Sequence, residues 1–184
     1  KACKQAQIWN EAGYPLSISV NLSNRQFHQA NLAAKTAEIL KETGLNPRQL
    51  EFEVTEQTIM ADINFSLRNM RSLQAMGVSI AIDNFGCGYS SLHWIKKMPT
   101  RRVKIDKSFI RNMLTEPDDL AVVNAVIAMS HNLKMEVVAN GVESEEQWAV
   151  IQRSGCDQLQ GYVISAPLPA AGFERLANIP GTLH

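Results

Sequence analysis

The chain has 184 residues, 45% of them hydrophobic, and its 18 basic and 18 acidic side chains leave no net charge. That is the size and composition of one globular domain with a sizeable core; the charge balance excludes a chain-wide pull toward nucleic acid or anionic lipid and leaves room only for a small local anion site. Cys3, Cys87 and Cys156 are few, odd in number and far apart, which argues against a disulfide framework or a cysteine-based zinc site and fits a reducing, cytosolic compartment.

The first stretch, "KACKQAQIWNEAG", reads as an amphipathic helix rather than a signal peptide, and no apolar run is long enough to span a bilayer. With no initiator Met, the chain reads as a piece of a longer polypeptide. Short β-rich runs then alternate with helical patterns. "LSISVNL" precedes a helix from about Gln29 to Glu42, "LEFEVTE" one from about Ile63 to Met76, and "VSIAIDNF" one from about Ser90 to Lys97. "RRVKID" precedes "KSFIRNML" and the long "DDLAVVNAVIAMSHNL", "MEVVAN" precedes "SEEQWAVIQRSG", and "QLQGYVIS" precedes a short helix near Gly172 to Ala177. Gly13, Gly44, Gly77 and Gly155 mark helix ends, and Pro99 follows "HWIKKM".

Six strand-then-helix units imply a mostly parallel sheet with helical crossovers, either open and doubly wound or closed as a barrel. Strand parity favours the barrel. Asn21, Glu53, Asp83, Lys104, Asn140 and Gln160 each sit near a strand end beside apolar neighbours that point the other way. A doubly wound sheet is covered on both faces and wants nearly all-apolar strands, whereas the inner face of a (β/α)8 barrel can carry chemistry at its C-terminal rim. Eight strands are expected and six are present, so two belong upstream of Lys1; an incomplete or partner-completed barrel is the alternative.

Those six residues would converge on one rim. Two carboxylates and a neutral amide oxygen are hard ligands suited to Mg²⁺ or Mn²⁺, and a nearby lysine could orient a water or balance phosphate charge, which implies hydrolysis of a phosphate ester. A single strand-end acid is most often a helix cap or ion-pair partner; it is the repetition across strands that argues for a site. In "FGCGYSS", Gly86 and Gly88 could shape a phosphate cradle, but the third glycine of a dinucleotide fingerprint is missing, and a turn capped by Ser90 explains the run equally well. Asn140-Gly141 is a hairpin signal discounted because a helix start, "ESEEQ", follows at once. His28, His93 and His131 fall in helical patterns and His184 is terminal, so they read as solvated or packing residues; the acids after Val142 suit a helix N-terminus.

Taken together, "VNLSNRQF", "FEVTE", "IDNFGCGYSSL", "VKIDKSFI", "VVANGVE" and "QGYVISAPLP" resemble, in order and over nearly the whole chain, the EAL-domain family, whose active members are cyclic-di-GMP phosphodiesterases. The resemblance implies a modified TIM barrel, two divalent cations, Mg²⁺ or Mn²⁺, and linearisation of cyclic-di-GMP to 5'-pGpG. It makes Asn21 and Glu53 ligands of the first metal, Asp83 the bridge between both metals, Lys104 the lysine beside the hydrolytic water, Gln160 a pocket glutamine and Glu56 the anchor of the loop after the fifth barrel strand. Arg25 falls where the family places a residue beside the nucleotide. That loop, "DNFGCGYSS", couples the site to a homodimer interface in the family, and a protein partner is a further expectation. The domain is expected in the cytoplasm, within a parent protein free to carry a membrane anchor, with no membrane contact or DNA binding of its own.

Three departures matter. The usual "DDFG" is "DNFG", so Asn84 replaces an acid that helps to hold the second metal; the usual "AEGVE" is "ANGVE", so Asn140 replaces another; and the strand bearing Glu-Ala-Leu is not in residues 1–184. Cys87 stands where Thr is usual. Two divalent cations bring four positive charges against only Glu53 and Asp83 at the matched positions. The sequence therefore reads as a single degenerate EAL-type domain fragment, weak or inactive as a phosphodiesterase and acting in nucleotide sensing or protein interaction. The rival reading is an active enzyme with atypical ligands.

Overall fold

The computed structural model describes residues 1–88 and 92–177. Helix α1 (Ala2–Glu11) leads into β1 (Ile18–Asn21), the short α2 (Asn24–Phe27) and α3 (Leu32–Thr43). Strand β2 (Leu50–Thr55) is followed by α4 (Glu56–Ala61) and α5 (Ile63–Ala75), and β3 (Ser79–Phe85) by α6 (Leu92–Ile95). The chain continues through β4 (Arg102–Ile105), α7 (Lys107–Asn112), α8 (Pro117–Asn132), β5 (Glu136–Asn140), α9 (Glu145–Arg153), β6 (Gln158–Gln160) and α10 (Ala170–Ala177). The six strands are all parallel and lie in sequence order, β1 to β6. They curl into a half-barrel of the expected TIM type, with one strand neighbour added per helical crossover.

Alternation along each strand sorts the side chains as parity requires. Val54, Val103, Ile105, Val137 and Ala139 are fully buried toward the helices and join the core built from Phe27, Ile59, Met70, Leu73, Ile110, Val123 and Ile151. The opposite, inner face carries Asn21, Glu53, Ala81, Asp83, Lys104, Asn140 and Gln160.

Helix ends follow local chemistry. Ser23 and Ser144 form capping boxes with Gln26 and Gln147, while Thr55, Asp62 and Asp106 accept the first free amides of α4, α5 and α7. Gly44 closes α3 at φ +72°.

Several boundaries differ from the sequence reading. The helix expected from Gln29 begins at Leu32, and that expected from Ser90 to Lys97 is described only as Leu92–Ile95, with Lys96 and Lys97 in a turn. The Ser90 cap and His184 lie outside the described residues. Helices α2 and α4 were not foreseen, although Ser23-x-x-Gln26 is a capping box in plain view. Strand β6 is three residues long rather than running through "GYVIS". The cause is local: the Gln160 carbonyl accepts from both Gly141 and Val142, and a Cβ at position 161 would fall on the Val142 backbone. The chain must turn there, and Ile164 and Ser165 donate back to the Gly161 carbonyl.

Candidate functional site

The C-terminal ends of β1 to β4 assemble the centre of the candidate site. Asn21 closes β1 directly opposite Glu53 on β2. Lys104 on β4 reaches across β3 to Glu53, Nζ to Oε2 2.6 Å, with both residues buried. The reach is possible because the intervening inner residue of β3, level with Glu53, is only Ala81.

Asp83, two residues further along β3, is half-buried, and its Oδ1 is enclosed without a hydrogen-bond partner among the described residues. Burial pushes its carboxyl pKa up, against the opposing pull of the Lys104 ammonium and the Asn84 amide, with the Glu53 and Asp106 charges adding to the rise. The enclosed oxygen lacks a compensating donor. Asn84 follows at φ +52° in a break of register, two residues of β3 facing Lys104 alone between the pairs Ile82–Val103 and Phe85–Ile105. Asn accepts the left-handed region more readily than most residues, which suits this bulge.

Glu56, 3% exposed, begins α4, and its Oε2 accepts the Gly86 amide at 3.2 Å. Gly88 lies so close that a Cβ there would stand 2.6 Å from Glu56 Oε1. The loop leaving β3 is thus folded onto this carboxylate. Cys87 sits exposed within it, its Sγ 3.8 Å from Ser108 Oγ, and burial above all pushes its thiol up, away from thiolate.

Asn140 and Gln160 end β5 and β6 opposite one another and border a cavity of about 1230 Å³ that also takes in Trp9, Lys107, Glu143 and Tyr162. Gln160 is exposed there, and Arg25 is exposed on α2. The structure therefore joins Glu53, Lys104 and Asp83 closely and sets Asn21 beside them; among the described residues no hydrogen bond or ion pair draws Asn140, Gln160 or Arg25 into that group.

Below this centre lies a second polar layer that the sequence reading missed. Arg102 Nη1 binds both oxygens of Glu51 at 3.0 and 3.1 Å, and Nη2 binds Glu136 at 2.7 Å. Ser19 donates to Glu51 at 2.9 Å and Gln158 to Glu136 at 3.4 Å. Its signal was available: each member stands two or four residues before a site residue on the same strand, as in Glu51-x-Glu53 and Arg102-x-Lys104.

The donor set suits one divalent cation better than two. Asn21, Glu53 and Asp83 offer hard oxygens, and the unpartnered Oδ1 of Asp83 is what a cation would satisfy. Among the described residues no group of three or more His, Cys, Asp or Glu gathers at one point. Asn84 and Asn140, where the family resemblance implies further acids, are neutral amides, and such residues do not fit a second cation. No described helix is long and apolar enough to cross a membrane.

Comparison with known proteins agrees with this architecture. The family model for the EAL domain matches residues 1–167. The chain is 43% identical over 175 residues to the signaling protein YkoW of Bacillus subtilis, covering 95% of this chain and 22% of that protein. It is 42% identical over 171 residues to the bifunctional diguanylate cyclase/cyclic di-GMP phosphodiesterase MucR of Pseudomonas aeruginosa, covering 92% and 25%. It thus spans a quarter or less of the length of these relatives. The solved MucR phosphodiesterase in complex with c-di-GMP superposes with a TM-score of 0.91 at 42% identity, over 94% of this chain and 70% of that one. Klebsiella pneumoniae BlrP1, solved with cyclic-di-GMP and calcium or manganese, superposes at 0.81 with 28% identity, over 90% and 42%.

Proposed function

The chain belongs to the EAL domain family, and from that premise we propose that it is a degenerate member, weak or inactive as a phosphodiesterase, which binds cyclic-di-GMP or a protein partner without turning the nucleotide over. The observation that carries this reading is the acid count. Of the carboxylates that two divalent cations would need, Glu53 and Asp83 are present, Glu53 is already held by Lys104, and Asn84 and Asn140 contribute no charge.

In this reading Asn21, Glu53 and Asp83 would hold one Mg²⁺ or Mn²⁺. A bound pair of cations supplies an activated water and stabilises the leaving oxygen. At an effective dielectric of about 20, a unit charge pair 4 Å apart is worth about 4 kcal/mol, so each lost carboxylate weakens the second cation far more than it weakens nucleotide contacts. Lys104 fixes Glu53 and brings a positive charge to the place where a phosphate would lie. Arg25 and Gln160 would meet the nucleotide, and Glu56 holds the β3 loop through Gly86. We place this domain within a longer cytoplasmic protein whose upstream strands complete the barrel and carry the Glu-Ala-Leu strand, and we assign a homodimer contact to the loop and helix after β3.

An active phosphodiesterase with atypical ligands is the second reading, favoured by the Asp83 carboxylate, whose Oδ1 is unpartnered. The two separate in one experiment: a longer protein including the upstream strands, incubated with cyclic-di-GMP and Mn²⁺ or Mg²⁺, with pGpG release and nucleotide binding measured together. Binding with little or no pGpG is expected. Turnover at the rate of a relative with the full acid set would overturn the proposal, and loss of binding in both metals would leave the protein-partner role.

A further inference from the structure

Four carboxylates and two cations share the inner face of β2 to β5: Glu51, Glu53, Asp83 and Glu136 with Arg102 and Lys104. Strand register says which of them lie level. Glu53 is opposite Ala81, and Ala81 is opposite Arg102, so Arg102 lies level with Glu53. Lys104 falls opposite the bulge that contains Asp83. Pairing straight across would join Arg102 to Glu53 and Lys104 to Asp83.

The observed pairs instead run one step down the strands. Arg102 binds Glu51, two residues before Glu53, and Lys104 binds Glu53. Both cross β3 over small inner side chains, Ser79 opposite Glu51 and Ala81 opposite Glu53. The carboxylate left over is the uppermost one, Asp83, and its buried Oδ1 has no partner.

The downward step has a cause on β4 itself. Arg102 is held by two carboxylates on opposite sides, Glu51 one step below it on β2 and Glu136 level with it on β5, each steadied by a further donor, Ser19 and Gln158. A planar guanidinium can satisfy both at once, which an ammonium cannot do with the same geometry. We infer a positioning role for Glu51 and Glu136: by holding Arg102 away from Glu53, they leave Glu53 to Lys104 and so keep the Asp83 carboxylate out of an ion pair. Its functional meaning rests on the reading of Asp83 as a cation ligand given above; the pairing itself does not.

Acids that merely tie strands together through Arg102 would not control which carboxylate Lys104 chooses, and this separates the two roles. In E51Q/E136Q the side chains keep their size but lose the charges that hold Arg102 away from Glu53. The crystal structure of this variant is expected to show Arg102 on Glu53 and Lys104 on Asp83, with Mn²⁺ affinity by calorimetry weaker by about tenfold or more. E51Q/R102Q/E136Q, which removes the whole lower layer, is expected to keep Lys104 on Glu53 and to hold Mn²⁺ affinity within about threefold. Lys104 remaining on Glu53 in E51Q/E136Q, with Asp83 still unpaired, would overturn the inference. If the double variant does not fold, E51Q alone decides: release of Nη1 toward Glu53 supports the inference, and an unchanged Lys104–Glu53 pair sinks it. Failure of the unaltered protein to bind Mn²⁺ would count against the cation reading only, since the variant structures judge the pairing on their own.

Discussion

A buried carboxylate oxygen held without a partner costs stability unless something outside the chain satisfies it, and Asp83 is in that position at Oδ1. Its Oδ1 is buried and unbonded while the neighbouring ammonium of Lys104 serves Glu53. The Asp83→Asn variant should therefore be more stable than the unaltered protein in the absence of metal, by about 1 kcal/mol near neutral pH, as read from urea unfolding. The same variant should lose Mn²⁺ binding. A gain in stability paired with a loss of ligand affinity is the signature of a residue kept for binding; a loss of both would mean that Asp83 is structural.

At the scale of elements, the rim depends on contacts between consecutive units. Asp157, just before β6, joins β5 and α8 by accepting from the Val137 amide at 2.7 Å and from His131 at 2.9 Å. Burial opposes ionisation of Asp157, but the His131 contact and the Val137 amide outweigh it and hold the carboxyl below its usual range. Because the folded pKa is the lower one, this contribution is present above the ordinary aspartate value and is lost as pH falls through the lowered one. Asp157→Asn should accordingly flatten the acid side of the stability profile, with little change in its slope near neutrality, in denaturation curves collected from acid to neutral pH. The turn after β6 is of the same kind. Gly161 packs on the Val142 backbone, so the third residue of β6, Gln160, is its last, and the cavity beside Asn140 begins there.

For the whole molecule, the half-barrel supplies a rim that, in the proposed reading, keeps the shape of a two-cation site with fewer of its charges. Restoring acids should test that separation. Asn84→Asp together with Asn140→Glu is expected to raise the number of Mn²⁺ ions bound from one to two in calorimetry, with nucleotide affinity less affected than cation affinity. Unchanged stoichiometry would mean that these two positions are not ligand positions. Asn84 carries an extra constraint, because its φ of +52° is tolerated by Asp as well as Asn but by few other residues.

Sequence alone determined the β/α alternation, the parallel sheet and the sorting of polar from apolar strand faces, because strand parity and helix period are local properties of the chain. It also named Glu53 and Lys104, since a charged side chain between buried apolar neighbours has only the inner face to occupy, and Asp83, which alternates with the buried Ile82. Two short helices and the early end of β6 escaped it, as boundaries set by caps and by backbone packing against Val142 carry little hydrophobic signal. Only the tertiary structure decided who pairs with whom. Ion pairing across β3 depends on the relative register of strands far apart in sequence, and a shift of two residues exchanges one partner for another. That register is what gives Lys104 to Glu53, Arg102 to Glu51 and Glu136, and leaves Asp83 Oδ1 without a partner.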